Sequence, residues 1–244
     1  DSFLEEKLGN IRFLADNFKL EELSDDLFLQ DQLTLLQQAY DSVFVDLGVI
    51  NSEGKQLAYA GPFRLGSVDY SEYNWFKNAI IKQYFISDVF LGLRGLPHFI
   101  VTVRESQNEE PWIIRATIDF QAFNHLVENI RIGETGFAFI LNKKGEFQTN
   151  PHYDIDPAES PYSGFLESED LSDSTVMEKS GGFWGENIYV STPLKQGEWL
   201  LLYQQKGSDA FSDLLAALKI TFVIILLGSM ATLLMAFIRF KNMT

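Results

Sequence analysis

Two side chains of opposite charge, Arg115 and Asp119, fall within the short apolar stretch 112–119, and Trp75 lies upstream of it. In a strand, alternate residues share a face. On that rule Trp112, Ile114, Ala116 and Ile118 point one way, while Ile113, Arg115, Thr117 and Asp119 point the other. The first set belongs against a core. The second sets a cation and an anion along one face, suited to gripping a small zwitterion or carboxylate or, equally, to pairing with each other across the sheet. His98, Ile100, Thr102 and Arg104 share a face of the preceding strand. Tyr70, Tyr73, Trp75 and Phe76 supply rings for an aromatic lid. Bidentate contact from Arg and stacking on Trp or Tyr are common means of holding small anions and amines. Each residue also has a plain structural use: Trp75 and Phe76 as core, His98 and Asp88 as local hydrogen-bond partners, Arg94 as a solvated loop residue instead of one closing over a ligand.

Other chemistries find little support. The chain has no Cys, which removes disulfides, thiolate catalysis and Cys-ligated zinc, and its three His (His98, His125 and His152) form no ligand spacing. No metal site and no cofactor are expected. Nucleophile elbows, phosphate loops and zinc-protease motifs are missing, so no catalytic residue is assigned and an enzyme is not expected. A net charge of −15 disfavours nucleic acid and anionic headgroups as partners. Acidic residues crowd 154–173, where divalent-cation binding competes with the simpler reading of a solvated loop.

The elements that must position these side chains follow from periodicity. Leu4, Leu8, Ile11, Ala15 and Phe18 line one helix face over 3–23, which serves as a dimer seam or as a stripe packed on the domain. Residues 27–40 read as a second helix, with Leu29, Leu33, Leu36 and Tyr40 on one side. From Ser42 the period becomes that of strands: 43–50, 56–60, 84–90, 98–104 and 111–119, with a short helix at 74–83 and another at 120–130. A second run follows at 136–141, 146–149, 182–192 and 198–205. The phrase strand, Asn-x-x-Gly turn, strand thus appears at 43–60 and again at 137–149. Residues 220–238 are nineteen residues without a charge, about 28 Å as a helix. Arg239 and Lys241 follow, which places the C-terminus in the cytoplasm and residues 1–215 outside, in the periplasm or the extracellular space. The chain opens on Asp1, and both ends read as cut, with an upstream anchor and an output module expected beyond them.

The order of these phrases resembles a known family. Tyr59-Ala60-Gly61-Pro62-Phe63, Trp75-Phe76, Ile86-Ser87-Asp88-Val89-Phe90, Pro97-His98-Phe99 and Arg115-Ala116-Thr117-Ile118-Asp119 resemble the membrane-distal module of a double Cache sensor domain. Residues 133–142 followed by Gly145 resemble the opening of its membrane-proximal module. The resemblance implies an α+β fold: a long N-terminal helix with two tandem PAS-like (Cache) modules and one transmembrane helix. The divisions are a helical stalk at 1–41, the distal module at 42–130, the proximal module at 131–215 and the membrane helix at 216–240. It implies a small-molecule pocket in the distal module, with Trp75, Asp119, Arg115, Tyr73, Phe76, Asp88 and His98 as candidate contacts. It further implies homodimerisation through the N-terminal helix and membrane attachment through 220–238. Chains so worded most resemble sensor histidine kinases; a chemoreceptor domain and a tethered binding module are the alternatives. In the amino-acid-binding branch an Arg lies two positions before the Trp and grips the ligand carboxylate; here that position is Tyr73. Trp75 and Asp119 match the branch's Trp and its amine-binding Asp.

Overall fold

A computed structural model describes residues 1–64, 67–92, 95–151, 155–158, 162–166, 175–178 and 187–241. Helix α1 (Ser2–Asn17) lays Leu4, Leu8, Ile11, Leu14 and Ala15 into the core. The apolar stripe is therefore occupied within the chain and leaves no seam on that face for a second copy. The helix stops earlier than the pattern over 3–23 suggests. Phe18 takes an extended backbone and turns its ring edge-on to Phe28 at 5.1 Å. A single turn, α2 (Leu20–Leu23), leads to α3 (Asp26–Tyr40), which buries Leu29 and Leu33.

Strands β1 (Phe44–Asn51) and β2 (Gln56–Ala60) form a hairpin. After α4 (Asn74–Ala79) come β3 (Tyr84–Ile86), β4 (Phe90–Leu91), β5 (Pro97–Gln107) and β6 (Glu110–Asp119). They make an antiparallel sheet of order β2-β1-β6-β5-β3, with β4 also paired to β5. The strand expected over 84–90 is thus interrupted. Ser87 causes the break: its Oγ accepts from Ile100 N at 3.0 Å and donates to Asp88 O at 2.7 Å, so side chain replaces backbone in the ladder. The two faces of β6 separate as alternation requires. Trp112, Ile114, Ala116 and Ile118 join the core beneath α1 and α3, and Ile113 joins a smaller cluster with Tyr70 and Phe76 on the opposite face.

Helix α5 (Phe120–Glu128) connects to a second sheet, built from β7 (Phe137–Asn142), β8 (Thr175–Glu178), β9 (Asn187–Leu194) and β10 (Trp199–Lys206) in the order β7-β10-β9-β8. The short α6 (Tyr162–Leu166) adds Phe165 to this sheet's own cluster with Phe139 and Leu202. Residues 146–149 form a bridge, Leu141 with Phe147, where a strand was expected. The expected strand over 182–192 is observed from Asn187; its earlier part, and most of the acidic stretch 154–173, lie outside the described residues. Phe123 of α5 ties the sheets together, 5.2 Å from Phe99 and 5.7 Å from Trp199.

The repeated turn phrase has one hydrogen-bond pattern. Asn51 Oδ1 accepts from Glu53 N and Lys55 N at 3.1 and 2.9 Å. Asn142 Oδ1 accepts from Lys144 N and Glu146 N at 3.0 and 2.9 Å. Gly54 and Gly145 close the two turns at φ of 86° and 78°, backbone that disfavours a side chain.

The chain ends in α7 (Gly207–Ala210) and α8 (Ser212–Lys241). Within the 28-residue span Ser212–Arg239, an 18-residue stretch has a mean hydropathy of 2.4 and buries nothing against the rest of the protein. The helix is long and apolar enough to cross a membrane.

Candidate functional site

On the face of the first sheet away from α1 and α3, rings gather over charge. Asp46, Tyr70, Tyr73, Trp75, Phe90, Gly92, His98, Ile100, Arg115 and Thr117 line one cleft. Its floor comes from adjacent strands. Arg115 on β6 is 5% exposed and Asp46 on β1 is 1% exposed, so neither charge is shared with solvent. Arg115 Nη1 donates to Asp46 Oδ1 at 3.0 Å and to Thr117 Oγ1 at 2.8 Å, while Nη2 donates to Tyr70 Oη at 3.2 Å. The Thr117 hydroxyl donates to Asp46 Oδ1 at 2.6 Å, and Tyr59 Oη reaches Asp46 Oδ2 at 3.4 Å. Burial works against the guanidinium, but Asp46 and Tyr70 outweigh it and hold the Arg115 pKa above its ordinary value. Arg115 Nε has no hydrogen-bond partner and is buried.

The register makes this arrangement fit. Arg115 stands across from Gly48 on β1 and Thr102 on β5. A Cβ at Gly48 would lie 3.2 Å from Arg115 Nε, so a residue without a side chain gives the guanidinium its room. Above the pair, Tyr70 lies 5.1 Å from Trp75 and 5.8 Å from Tyr73, with Arg115 Cζ 5.3 Å from the Tyr70 ring. The opposite wall is Phe90 packed against His98, ring centres 4.6 Å apart and planes tilted by 54°, with the imidazole held by Nδ1 against Leu96 O at 3.0 Å.

The cleft has about 40 Å³ of free space, enough for a water or two. That space is smaller than a ligand the size of an amino acid needs. Two wider hollows, of about 530 and 680 Å³, border α1 elsewhere, and neither gathers rings over a buried ion pair. Among the described residues no group of His, Asp and Glu is arranged to hold a metal ion.

Of the residues singled out in the sequence, Tyr73, Trp75, His98 and Arg115 come together here. Phe76 stands behind them, edge-on to Trp75 at 6.0 Å and 5% exposed. Asp119 is turned elsewhere. Strand β6 ends at that residue, and its carboxylate caps α5, accepting from Gln121 N and Ala122 N at 3.4 and 3.3 Å. Asp88 faces the second sheet: Oδ1 accepts from Trp199 Nε1 at 2.7 Å and Lys195 Nζ at 3.2 Å, and Oδ2 from Asn142 Nδ2 at 3.0 Å. Burial opposes the Asp88 carboxylate, but Trp199, Lys195 and Asn142 outweigh it and lower its pKa. At Lys195 burial wins over Asp88 and lowers the ammonium's pKa, so the cluster favours the carboxylate more than its cation. Arg94 lies outside the described residues.

Sequence reasoning missed Asp46, the partner of Arg115. One signal was present: a carboxylate inside the apolar run Phe44-Val45-Asp46-Leu47 must find a cation or a donor when buried. A bulge between Phe44 and Asp46 concealed its direction, because the extra residue shifts the alternation that assigns faces.

No family model matches the chain, nor does any curated protein. Solved structures do. The extracellular domain of the putative histidine kinase mmHK1S-Z3 superposes with a TM-score of 0.65 at 10% identity, over 88% of this chain and 92% of that one. The extracellular domain of the putative histidine kinase mmHK1S-Z2 gives 0.63 at 11% identity, over 85% and 93%. The sensory domain of the Campylobacter jejuni chemoreceptor Tlp3 (CcmL) with isoleucine bound gives 0.61 at 12% identity, over 84% and 85%. At such identities the likeness is one of fold: the chain is built as these chemoreceptor and histidine kinase sensor domains of the double Cache type are.

Proposed function

We propose that this chain is the extracytoplasmic ligand-sensing part of a transmembrane signalling receptor. In this reading a helical stalk (1–41) carries two tandem PAS-like modules, distal (42–130) and proximal (131–215), and α8 carries the signal through the membrane with its C-terminal end in the cytoplasm. The observation that bears most weight is the cleft itself, an aromatic enclosure over the buried Asp46–Arg115 pair. A small organic acid, amine or amino acid suits it: Arg115 for a carboxylate, Asp46 for an ammonium, Tyr73, Trp75 and Phe90 for the remainder, with His98 in the wall. Phe76 serves by backing Trp75. Solved neighbours of both signalling types exist, and the wording of the sequence favours a histidine kinase as the parent over a chemoreceptor. A homodimer is part of the reading, and it would use the outward face of α1, where Phe13 is 59% exposed, since the inward stripe is occupied.

The test is a thermal-shift screen of the full chain in detergent micelles against amino acids, organic acids and amines. A ligand at a hundred times its dissociation constant stabilises by about 2.7 kcal/mol. Trp75→Ala and Tyr73→Ala are expected to remove the shift. A hit whose shift survives both replacements sinks this site.

A further inference from the structure

The same short segment that walls the cleft also grips the second sheet. Phe90 and Gly92 line the cleft, and the Phe90 ring packs against that of His98. One residue earlier, Val89 N donates to the buried Gln148 Oε1 at 2.7 Å. One earlier still, Asp88 takes hydrogen bonds from Asn142, Lys195 and Trp199. Lys195 Nζ also lies 4.6 Å from the centre of the Trp199 ring. Trp199 is fully buried and is the first residue of β10, which runs into α7 and then α8. The path from ligand wall to membrane helix is therefore one extended segment, one side-chain cluster and one strand.

We propose that residues 87–90 couple the cleft to β10 through Asp88, so that displacing the Phe90 wall shifts the Trp199 end of the strand that leads to α8. The proposal rests on reading the cleft as the ligand site. Its physical basis is that the segment cannot slide freely. Ser87 is pinned to β5 by Ile100 N, and Ser87 N donates back to Ile100 O at 3.0 Å. A push at Phe90 thus acts on the short span between that pin and the cleft, where Asp88 and Val89 hold the second sheet. The coupling acts only if the two positions of the wall differ in how well Asp88 holds its donors.

A wedge tests this without any ligand. A Cβ at Gly92 would lie 2.1 Å from His98 Cε1, so Gly92→Ala forces wall or ring to move. Amide hydrogen exchange is read by mass spectrometry on the full chain in lipid nanodiscs, with β5 reporting the cleft, β10 the output and β2 a remote control. Gly92→Ala is expected to speed exchange in both β5 and β10, in β10 by about two- to thirtyfold, the range of coupling carried by such networks. Adding Asp88→Ala is expected to confine the change to β5. Phe90→Ala serves as a second way to disturb the wall, and Asp88→Asn as a second way to break the cluster, should either first choice fail to fold. A β10 that stays unchanged while β5 responds overturns the proposal, as does a β10 response that persists undiminished without the Asp88 carboxylate. A failed ligand screen leaves these outcomes standing, so the two readings fail separately.

Discussion

Gly48 and Arg115 face each other across β1 and β6, with 3.2 Å between Arg115 Nε and the place a Gly48 Cβ would occupy. The floor of the cleft depends on that missing side chain. With Val at 48 the guanidinium must leave its place beside Asp46, and a buried carboxylate loses its cation. Breaking a buried pair from one side costs about 3–5 kcal/mol, because one charge is left uncompensated. Asp46→Asn and Gly48→Val are accordingly expected to lower stability by amounts of that order in urea unfolding. Removing both charges, as Asp46→Leu with Arg115→Met, is expected to cost less than Asp46→Asn alone. A double variant less stable than the single one would show that the pair itself, and not relief from an orphaned charge, holds the sheet.

How far the sequence reached can be judged at three residues. Arg115 was legible because β6 alternates cleanly: four apolar side chains fall in the main core and the other face is left for chemistry. Asp119 was ambiguous, since the same spacing that puts it on the Arg115 face also puts it just before the helical run from Phe120. An Asp there is a capping signal, and the capping geometry prevailed. Asp88 was illegible in its role. Its partner Trp199 lies 111 positions away, and no periodicity relates a residue to one in another sheet. The turns at Asn51 and Asn142 were readable for the opposite reason, because the hydrogen bonds that each Asn Oδ1 accepts are local.

Lys7 offers a separate test of what aromatic rings contribute. It is 3% exposed, on the flank of the α1 stripe, with its ammonium 3.6 Å from the Tyr40 ring centre and 5.2 and 5.7 Å from those of Phe3 and Phe44. Its ion pair with Glu6 is long, at 3.4 Å, and Glu6 is half exposed. The methylene stem fills space between α1 and α3, and the rings attract the charge. Lys7→Ala loses both and is expected to cost about 2 kcal/mol or more. Lys7→Met keeps the stem and also removes the desolvation of a buried ammonium, so it is expected to fall within about 1 kcal/mol of the parent chain. Urea midpoints of the two variants decide. If Met proves as costly as Ala, the charge on the rings outweighs the packing.

Asp209 sits in α7, where the second sheet hands over to the long apolar helix α8, and it provides the clearest pH dependence. Its Oδ2 accepts from Thr135 N and Thr135 Oγ1, both at 2.8 Å, from Glu134 N at 2.9 Å and from Gln205 Nε2 at 3.1 Å. The Thr135 amide, then Gln205 and the Thr135 hydroxyl, pull the carboxyl pKa down to about 2 from 3.8. A group more acidic in the folded chain than in the unfolded one stabilises the fold when ionised. That contribution is complete above about pH 4 and is lost as pH falls through 4 towards 2. Protonation withdraws an acceptor from four donors that tie the loop before β7 to α7. Thermal unfolding followed between pH 6 and pH 2 is therefore expected to show the parent chain losing its midpoint faster than Asp209→Asn does below pH 4. The variant is expected to start lower at pH 6, because an amide oxygen accepts less strongly than a carboxylate. The other acidic residues titrate in both proteins, so the difference between the curves isolates Asp209. Curves that run parallel from pH 6 to pH 2 would remove this carboxylate from any account of the junction's acid sensitivity.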